Sequence, residues 1–590
     1  MTDRVERTRQ VASRSEISFP RAAQRRIVGK WMEGVPMKTK CTAALLTLAI
    51  AITAPAQWEQ DEFAIVAHWD PSGMFPVDGV ATGNSAAVQE ANDEDLLRIC
   101  RNAGFNVLAN VETVWDPGMA ASRYRNLNEN RYLLERIEAI GGGLRAFVPD
   151  PRYSDPTGGP YTWVQADVND VISDYTTGNG GLSADLRELI YGFHVTDEPR
   201  FANTGATGNL ITKFHYMNQN AQDIPSWINL FGNRHPDFLD ANHNQIGTNF
   251  ADYVQRLIDA EARVISFDNY PFITNDGGVT LRTRPHFFGG YQTVAELIRE
   301  SGRRISFWAY ASAIEEVRFD AAGNAVQEQD GPADYRTNID PAQLRYSAHV
   351  PLLYGGTGIV WLYYMPPWRH ACAAPPCATW NCGSCGGRDW YCDPVPTPPA
   401  TCRAKALEGG HRFDESITDL EGQATPGRYA QVTTVNTRLQ RMGPTLLRME
   451  WIETVHGDAD HNMNTTDGTF AVLAPEGNLP VIEADTPLLQ PLSADVDFAA
   501  GIFRDRFQPN VNYLLVMNKD LDVDNTFTIN CKNTVHRVDR FSSTNDRWNI
   551  LASGISGGPV TLADIPPGDV VLLRINYTDM TPVLNLLLLD

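Results

Sequence analysis

The chain of 590 residues is predicted to fold as a (β/α)8 TIM barrel, an α/β architecture, followed by an all-β sandwich domain. From residue 63 to about residue 451, short apolar segments alternate with amphipathic ones, as in repeated βα units around a parallel sheet. Eight apolar segments of this kind are present, which is the number that closes a barrel. From about residue 468 the chain changes to short alternating strands separated by turns, the pattern of a sandwich.

The predicted barrel strands are rich in β-branched and aromatic residues, as expected of strands that are buried on both faces. They cover residues 63–69, 105–111, 144–150, 189–198, 226–231, 264–270, 304–311 and 357–364. Helices are predicted at 94–103, 130–140, 249–262, 293–301, 341–354 and around 429–439. No Gly-rich phosphate turn follows the first strand, which disfavours a doubly wound dinucleotide-binding sheet.

The first 56 residues are predicted to be an N-terminal extension and a secretory signal peptide. From Met37 the sequence has two lysines, an apolar run and an A-x-A cleavage site at 54–56. The run is shorter than the ~20 residues that a membrane-spanning helix needs, so export is favoured over anchoring. We expect a mature chain that begins at Gln57, is secreted or periplasmic, and has no membrane partner after cleavage.

The cysteines agree with an exported protein. Of the nine, one lies in the leader and six lie in a Pro/Gly-rich insert of the barrel at about 369–405. The six are Cys372, Cys377, Cys382, Cys385, Cys392 and Cys402. An even set in such a loop indicates disulfides. The alternative is zinc, because 382–385 is a C-x2-C unit, but no second unit accompanies it. The pairing of Cys100 and Cys531 stays open.

The net charge of the chain limits the kinds of molecule that it is expected to bind. The formal net charge is −22, and a surface this acidic repels nucleic acids and anionic lipid heads. Neutral substrates are therefore favoured.

The barrel domain is predicted to cover residues 57–455, and the sandwich domain residues 456–590.

A barrel carries its functional residues where its strands end, so the polar and aromatic residues at those ends form the candidate site. Asp197 and Glu198 end the fourth strand, Asp268 lies near the end of the sixth, and these three are the catalytic candidates. The substrate-binding candidates are His68, Trp69, Glu112, Tyr270, Trp308, Tyr310, Trp361 and Tyr363. Carboxylates among aromatic rings suit a sugar, whose ring faces stack on aromatics and whose bond cleavage needs an acid plus a base or nucleophile.

The segment GFHVTDEP at 192–199 resembles the acid-bearing strand-four motif of barrel glycoside hydrolases. The similarity continues in FDNYP at 267–271, in NTRLQRMGPTL at 436–446, and in the C-terminal segments 515–520 and 567–569. Taken together, the resemblance covers most of residues 60–580. The resemblance implies a glycosidase that hydrolyses O-glycosyl bonds of an extracellular carbohydrate, with Glu198 as the general acid and no cofactor required for catalysis.

The sequence departs from one pattern of that class. Retaining enzymes of its largest clan place Asn-Glu at strand four and a second glutamate at the end of strand seven, but here Asp197 precedes Glu198 and strand seven ends in WAYA at 308–311. The partner carboxylate is therefore left open. Asp197 would orient a substrate N-acetyl group, as in hexosaminidases with an adjacent Asp-Glu pair, whereas Asp268 would act through water with inversion. The alternative function is a non-catalytic carbohydrate-binding or surface protein on the same fold.

A segment between the two domains has the spacing of a cation loop. Asp458, Asp460, Asn462 and Asn464 follow a D-x-D-x-N-x-N pattern, which predicts a structural calcium site. The segment lacks the glycine and terminal glutamate of an EF-hand loop, so an ordinary polar turn is the alternative. No histidine cluster has ligand spacing, which disfavours metal-dependent hydrolysis.

Overall fold

All eight predicted barrel strands form in the computed structural model, and all pair in parallel. They are β1 (Ala64–His68), β2 (Val107–Ala109), β3 (Arg145–Val148), β4 (Ile190–Asp197), β5 (Ser226–Leu230), β6 (Val264–Phe267), β7 (Ser306–Ser312) and β8 (Gly358–Leu362). Each strand pairs with its neighbours along the chain and β1 pairs with β8, so the sheet is closed. The predicted TIM barrel is confirmed.

The structure describes ranges of the chain that are separated by gaps. They are residues 58–68, 86–109, 125–154, 163–205, 209–233, 238, 249–274, 281–283, 287–313, 316–318, 340–362, 391–392, 404–405, 407–408, 411–413, 417–418, 424–456 and 498–577. The predicted leader, most of the cysteine-rich insert and the predicted calcium loop lie outside these residues.

Helices follow the strands and surround the barrel. They are α1 (Ala86–Asn102), α2 (Leu127–Ile140), α3 (Gln165–Thr176), α4 (Ala184–Glu188), α5 (Asn209–Asn220), α6 (Asn249–Asp259), α7 (Phe287–Ser301), α8 (Pro341–Leu353) and α9 (Arg428–Leu446), with a 3-10 turn at Phe201–Thr204. Asp340 caps α8 by accepting from the Gln343 N–H, with proline at the first helical position. None of the helices among the described residues is long and apolar enough to cross a membrane.

The N-terminal end of the barrel is closed by the segment that precedes β1. The Trp58 ring packs edge-on against Tyr191 at a centroid distance of 6.1 Å. The Gln60 side-chain oxygen accepts from the Trp308 indole N–H and the Thr357 hydroxyl, both at 3.1 Å. Among the described residues, the barrel interior is covered at this end and not at the other end, where the strands finish and which is called the open end below.

Among the described residues, eight antiparallel strands follow the barrel. They are β9 (Met449–His456), β10 (Phe498–Asp505), β11 (Val511–Asn518), β12 (Asn525–Cys531), β13 (Val535–Ser542), β14 (Arg547–Ser553), β15 (Gly558–Ile565) and β16 (Val570–Tyr577). One sheet has the order β9-β10-β11-β16-β13-β14, and β12 pairs with β15 in a second sheet. The C-terminal sheet therefore begins at Met449, within the segment that the sequence assigned to the barrel.

The structure shows whether Cys100 and Cys531 form a disulfide with each other. Cys100 lies in the core that the barrel shares with its helices, whereas Cys531 lies in the core of the C-terminal sheets. The two cysteines do not pair with each other.

Short strands occur within the long loops of the barrel. Phe272–Thr274 pairs with Leu281–Thr283, and Tyr391–Cys392 pairs with Ala404–Lys405. A three-stranded sheet joins Glu316–Arg318, His411–Phe413 and Leu407–Glu408. These pairings give the loops after β6, β7 and β8 backbone structure of their own.

The turn before β16 attaches the C-terminal domain to helices α8 and α9. The Arg438 guanidinium of α9 pairs with Asp569, and Arg345 of α8 donates to the Pro567 carbonyl at 2.8 and 3.0 Å. Gly568 has φ +65°, and a Cβ atom there would lie 2.2 Å from the Ala342 carbonyl oxygen of α8. Only glycine fits this close approach of two backbones.

Gly568→Ala tests the closeness of this contact. Gly554 has the same φ of +65°, but its Cβ would meet nothing within 4 Å, so Gly554→Ala is a matched control for backbone strain alone. We expect Gly554→Ala to lower the free energy of unfolding by about 1 kcal/mol. Gly568→Ala should cost roughly 1–3 kcal/mol more, because it adds a steric clash. Denaturant unfolding measures both, and equal losses would contradict the contact.

Candidate active site

Two strands of the barrel bring two aspartates together at its open end. Asp197 is the last residue of β4, and Asp268 directly follows β6, with β5 between them. Asn229, near the end of β5, donates from its side-chain amide nitrogen to an oxygen of each, at 2.9 Å to Asp197 and 2.8 Å to Asp268. One amide group therefore holds two carboxylates on the same side of the barrel mouth.

Strand register produces this arrangement. Asp197 is the β4 partner of Asn229, and Asn229 is the β5 partner of Ser266 on β6. The pairing of β4 with β5 shifts between His194 and Thr196, a bulge that changes which side chains of β4 face inward. Without the extra residue the end of β4 would present its opposite face to the barrel axis.

A chain of hydrogen bonds determines which way the Asn229 amide points. The indole N–H of Trp227 can only donate, and it donates to the Ser266 hydroxyl at 2.6 Å. That hydroxyl in turn donates to the side-chain oxygen of Asn229 at 3.1 Å. The amide nitrogen must therefore face the two carboxylates, and both of these act as acceptors.

Glu198 follows Asp197 in a strained backbone conformation. Its φ is +42°, in the left-handed region that residues other than glycine rarely occupy. The Glu198 N–H donates to the Asn229 carbonyl at 3.0 Å, and the Tyr253 hydroxyl of α6 donates to the Pro199 carbonyl. Such strain persists where the surroundings hold it and is concentrated at functional sites.

The turn after β6 is also held by backbone contacts. Asn269 donates from its amide to the Phe287 carbonyl at 2.7 Å, and the Tyr291 hydroxyl donates to the Asn269 carbonyl at 3.2 Å. A Cβ on Gly232 would lie 2.0 Å from the Asp268 carbonyl oxygen, so the loop after β5 needs glycine to pass this turn. These contacts fix the position of Asp268.

Tyr310 of β7 lies beneath the carboxylates and is fully buried. Burial, followed by the negative charges of Asp197 and Asp268, raises the pKa of Tyr310 well above its ordinary value, and the charge of Glu198 acts in the same direction. Tyr310 is therefore a neutral phenol, able to donate a hydrogen bond. The negative charges of all three predicted catalytic carboxylates act in the same direction on this one hydroxyl.

Two buried histidines lie in the same layer. His68 packs edge-on against Tyr310 at 5.1 Å, and His194 packs against Trp227 at 5.1 Å. Burial lowers the pKa of His194 to about 3, and burial together with the His194 charge lowers the pKa of His68 well below its ordinary value. Both imidazoles are neutral at neutral pH.

The structure places two of the predicted aromatic residues away from the site. Trp308 is fully buried near the N-terminal end of the barrel, where its indole N–H donates to Gln60. Its ring lies so close to the neighbouring strand that a Cβ atom on Gly358 would be 2.5 Å from it. Trp361 points outward from β8 and donates to Asn436 of α9 at 2.7 Å. Neither ring can stack on a sugar, which corrects the prediction from sequence.

The remaining predicted residues divide into two groups. Tyr270 lies edge-on to Tyr310 at 6.5 Å and is 5% exposed, so it lines the site from below rather than forming an open stacking surface. Trp69, Glu112, Tyr363 and the predicted calcium ligands Asp458, Asp460, Asn462 and Asn464 lie outside the described residues. Within the described ranges, no group of three or more His, Cys, Asp or Glu side chains could hold a metal ion.

Asn229 was missed in the sequence, although a signal was present. Inward-facing residues alternate along a strand, so an aromatic core residue at 227 predicts that residue 229 faces the same interior, one step closer to the open end. The strand at 226–231 contains no carboxylate or histidine, so it lacks the residue types that usually mark a catalytic strand end.

Solved structures of other proteins resemble this chain in fold at low sequence identity. No family model and no curated protein matches the chain. A β-galactosidase from Bacillus circulans sp. alkalophilus is 9% identical with a TM-score of 0.43, covering 88% of this chain and 99% of its own. A glucosidase from Croceicoccus marinus is 11% identical with a TM-score of 0.34, covering 89% and 98%. The catalytic domain of a GH30 xylanase C from Talaromyces cellulolyticus is 10% identical with a TM-score of 0.33, covering 88% and 98%.

These structures are glycoside hydrolases. Their identities and scores are too low to carry an argument about the activity of this chain.

The buried histidine predicts a dependence of stability on pH. In the unfolded chain an imidazole takes up a proton near pH 6.5, whereas folded His194 does so only near pH 3. Its contribution is fully present above pH 6.5 and is lost as the pH falls toward 3. Between pH 7 and pH 5, His194→Gln should remove about 2 kcal/mol of the acid-induced loss of stability. Denaturant unfolding at both pH values measures this, and an unchanged loss in the variant would contradict a neutral His194.

Asn229→Ala tests the bridge between the carboxylates. Because Asn229 holds two carboxylates together, we expect its loss to lower the turnover of a reaction at this site by about 10²- to 10³-fold with little change in KM. Asn218→Ala is the control, because Asn218 is also buried and bonds two other elements, through Ala260 and Ser226, at the opposite end of β5. The melting temperature should fall by a similar amount in both variants, whereas turnover should fall only in Asn229→Ala. Parallel losses of turnover in the two variants would assign Asn229 a purely structural role.

Proposed function

We propose that the protein is a glycosidase that hydrolyses O-glycosidic bonds, with Glu198 as the general acid. The observation that carries the proposal is the pair of carboxylates, Asp197 and Asp268, that one Asn229 amide holds together where the barrel strands end, with Glu198 directly after Asp197 in the chain. Glycoside hydrolysis needs one carboxyl group to protonate the leaving oxygen and a second to act on the other side of the sugar. Three carboxylates at one site meet that need.

We assign different roles to the three carboxylates. Asp197 and Asp268 both accept from Asn229, which holds the two groups together. Two negative charges held together stabilise the positive charge that develops on the sugar ring in the transition state. Glu198, in the strained backbone that directly follows β4, is assigned as the proton donor, as its place in the strand-four motif implies.

The partner of Glu198 has two candidates. Asp197 would orient an N-acetyl group of the substrate, which then attacks the anomeric carbon, whereas Asp268 would activate a water molecule that attacks from the opposite face. The first route requires an N-acetylated sugar and gives a retained product. The second route gives an inverted product and has no such requirement.

The substrate is proposed to be an extracellular oligo- or polysaccharide. Support comes from the predicted leader at 1–56 and the acidic net charge of −22, which disfavours anionic polymers. No cofactor has a role in the proposed reaction, since proton transfer and charge stabilisation come from side chains.

Glu198→Gln separates protonation from the rest of the chemistry. On a glycoside with a poor leaving group, the variant should lose about 10²- to 10⁴-fold in rate, because the departing oxygen is no longer protonated. On an activated aryl glycoside the loss should be much smaller. Initial rates on both substrates measure this, after a hydrolysis screen across glycans has identified the sugar.

The matched control is Glu188→Gln, which makes the same change at an exposed residue just before β4, at the far end of the strand. It should behave as wild type on both substrates. An equal loss on both substrates in Glu198→Gln would remove Glu198 as the acid, and full activity would overturn the proposal.

The two partner carboxylates are distinguished by product stereochemistry. Asp197→Asn and Asp268→Asn should each lower turnover on both leaving groups, because each contributes charge at the sugar rather than protonation. Proton NMR of the first-formed anomer then identifies the partner: a retained product with an N-acetyl requirement indicates Asp197, and inversion indicates Asp268. Unchanged turnover in both variants would show that neither aspartate takes part.

A further inference from the structure

A cavity of about 330 Å³ lies at the opposite end of the barrel from the carboxylates, between the barrel and the C-terminal sheet. Its wall is formed by the end of α7, the residues that lead into β7 and β8, and the edge strand β9. The charged residues that line it are Arg299, Arg303, Arg304, Arg506 and Glu450. Four arginines against one glutamate is an unusual wall in a chain with a net charge of −22.

The arginines are not equally compensated. Arg304 pairs with Glu59, and the two oxygens of Glu450 accept from the Nη2 and Nε nitrogens of Arg504 at 2.6 and 2.7 Å. Arg299 and Arg303 donate to the backbone carbonyls of Ile452 and Ile258, which are neutral partners. The charges of these two guanidinium groups are therefore not cancelled by the hydrogen bonds that they make.

Arg506 is the least compensated of the four. Among the described residues, its guanidinium group makes no hydrogen bond and no ion pair, although its backbone N–H bonds the Arg448 carbonyl. Its side chain is exposed toward the cavity, so a ligand can reach it. Arg304 and Arg506 line the same cavity, and partial burial together with the like charge of Arg304 lowers the pKa of Arg506.

The neighbouring carboxylates do not neutralise the group. Glu450 acts on Arg506 from a distance while it is engaged by Arg504. Glu453 lies near Arg299, but burial raises the pKa of its carboxyl group. Counting these neighbours, five guanidinium groups face three carboxylates, Glu59, Glu450 and Glu453.

We propose that this cavity binds a tetrahedral oxyanion, sulfate or phosphate, either as the free ion or as the ester group of a glycan. Guanidinium groups offer paired N–H donors whose spacing matches the oxygens of such an anion. A bound dianion would remove the repulsion between Arg304 and Arg506 and would connect the barrel to the C-terminal domain. The site is separate from the proposed catalytic centre and does not depend on it.

Thermal unfolding of the full chain tests the proposal. Sodium sulfate should raise the melting temperature in a saturable way, by about 2–5 °C beyond sodium chloride at equal ionic strength. Arg506→Gln should lose this rise. In sulfate-free buffer the same variant should melt at or above the wild-type temperature, because a repulsion has been removed, so misfolding is distinguishable from lost binding.

The control is Arg547→Gln, which removes an exposed arginine from β14 of the same domain and should keep the full response to sulfate. Calorimetric titration distinguishes the two sources of the anion. Equal affinity for inorganic sulfate and for a monosaccharide sulfate indicates the free ion, and tighter binding of the sugar sulfate indicates a glycan. In either case Arg506→Gln should bind at least about tenfold more weakly.

Two results would overturn the proposal. One is a wild-type melting temperature that responds to sulfate no more than to chloride. The other is an Arg506→Gln variant that binds inorganic sulfate as tightly as wild type does.

Discussion

The proposed chemistry depends on the direction in which one buried amide points. Because the Trp227 indole can only donate, the Ser266 hydroxyl accepts that hydrogen bond and donates its own to the side-chain oxygen of Asn229. The side-chain nitrogen of Asn229 must therefore face the carboxylates. Reversing that amide would put an oxygen against two negatively charged groups. An apolar core residue thus controls the electrostatics of the barrel mouth through two intermediate side chains.

The barrel supplies this orientation through register. Parallel strands end at the same face, and neighbouring inward residues on β4, β5 and β6 then meet in one layer. The bulge in β4 and the left-handed backbone of Glu198 are departures from regular geometry, and both lie next to the carboxylates. Irregularity at this position is understandable, since a regular strand would direct Asp197 and Glu198 to opposite sides.

Much of the fold was predictable because buried parallel strands are continuous apolar runs, which the sequence shows eight times. The positions of Asp197, Glu198 and Asp268 followed from strand ends alone. The roles of Trp308 and Trp361 did not, because an aromatic residue in a strand faces either the interior or the helices according to register, which composition does not reveal. The role of Asn229 was not predictable, because it depends on hydrogen bonds to residues on or next to the two neighbouring strands. The start of the C-terminal sheet at Met449 was hidden for a similar reason, since β9 belongs to the sheet only through its pairing with β10, far along the chain.

A double-mutant cycle between Asn229 and Asp268 tests the central claim most directly. The four rates needed are kcat/KM for wild type, Asn229→Ala, Asp268→Asn and the double variant, on one glycoside. If Asn229 acts by positioning the carboxylates, its removal should cost much less once Asp268 has lost its charge, so the double variant should be far more active than the product of the single losses predicts. Losses that multiply in full would show that Asn229 and Asp268 act independently, and would contradict the account.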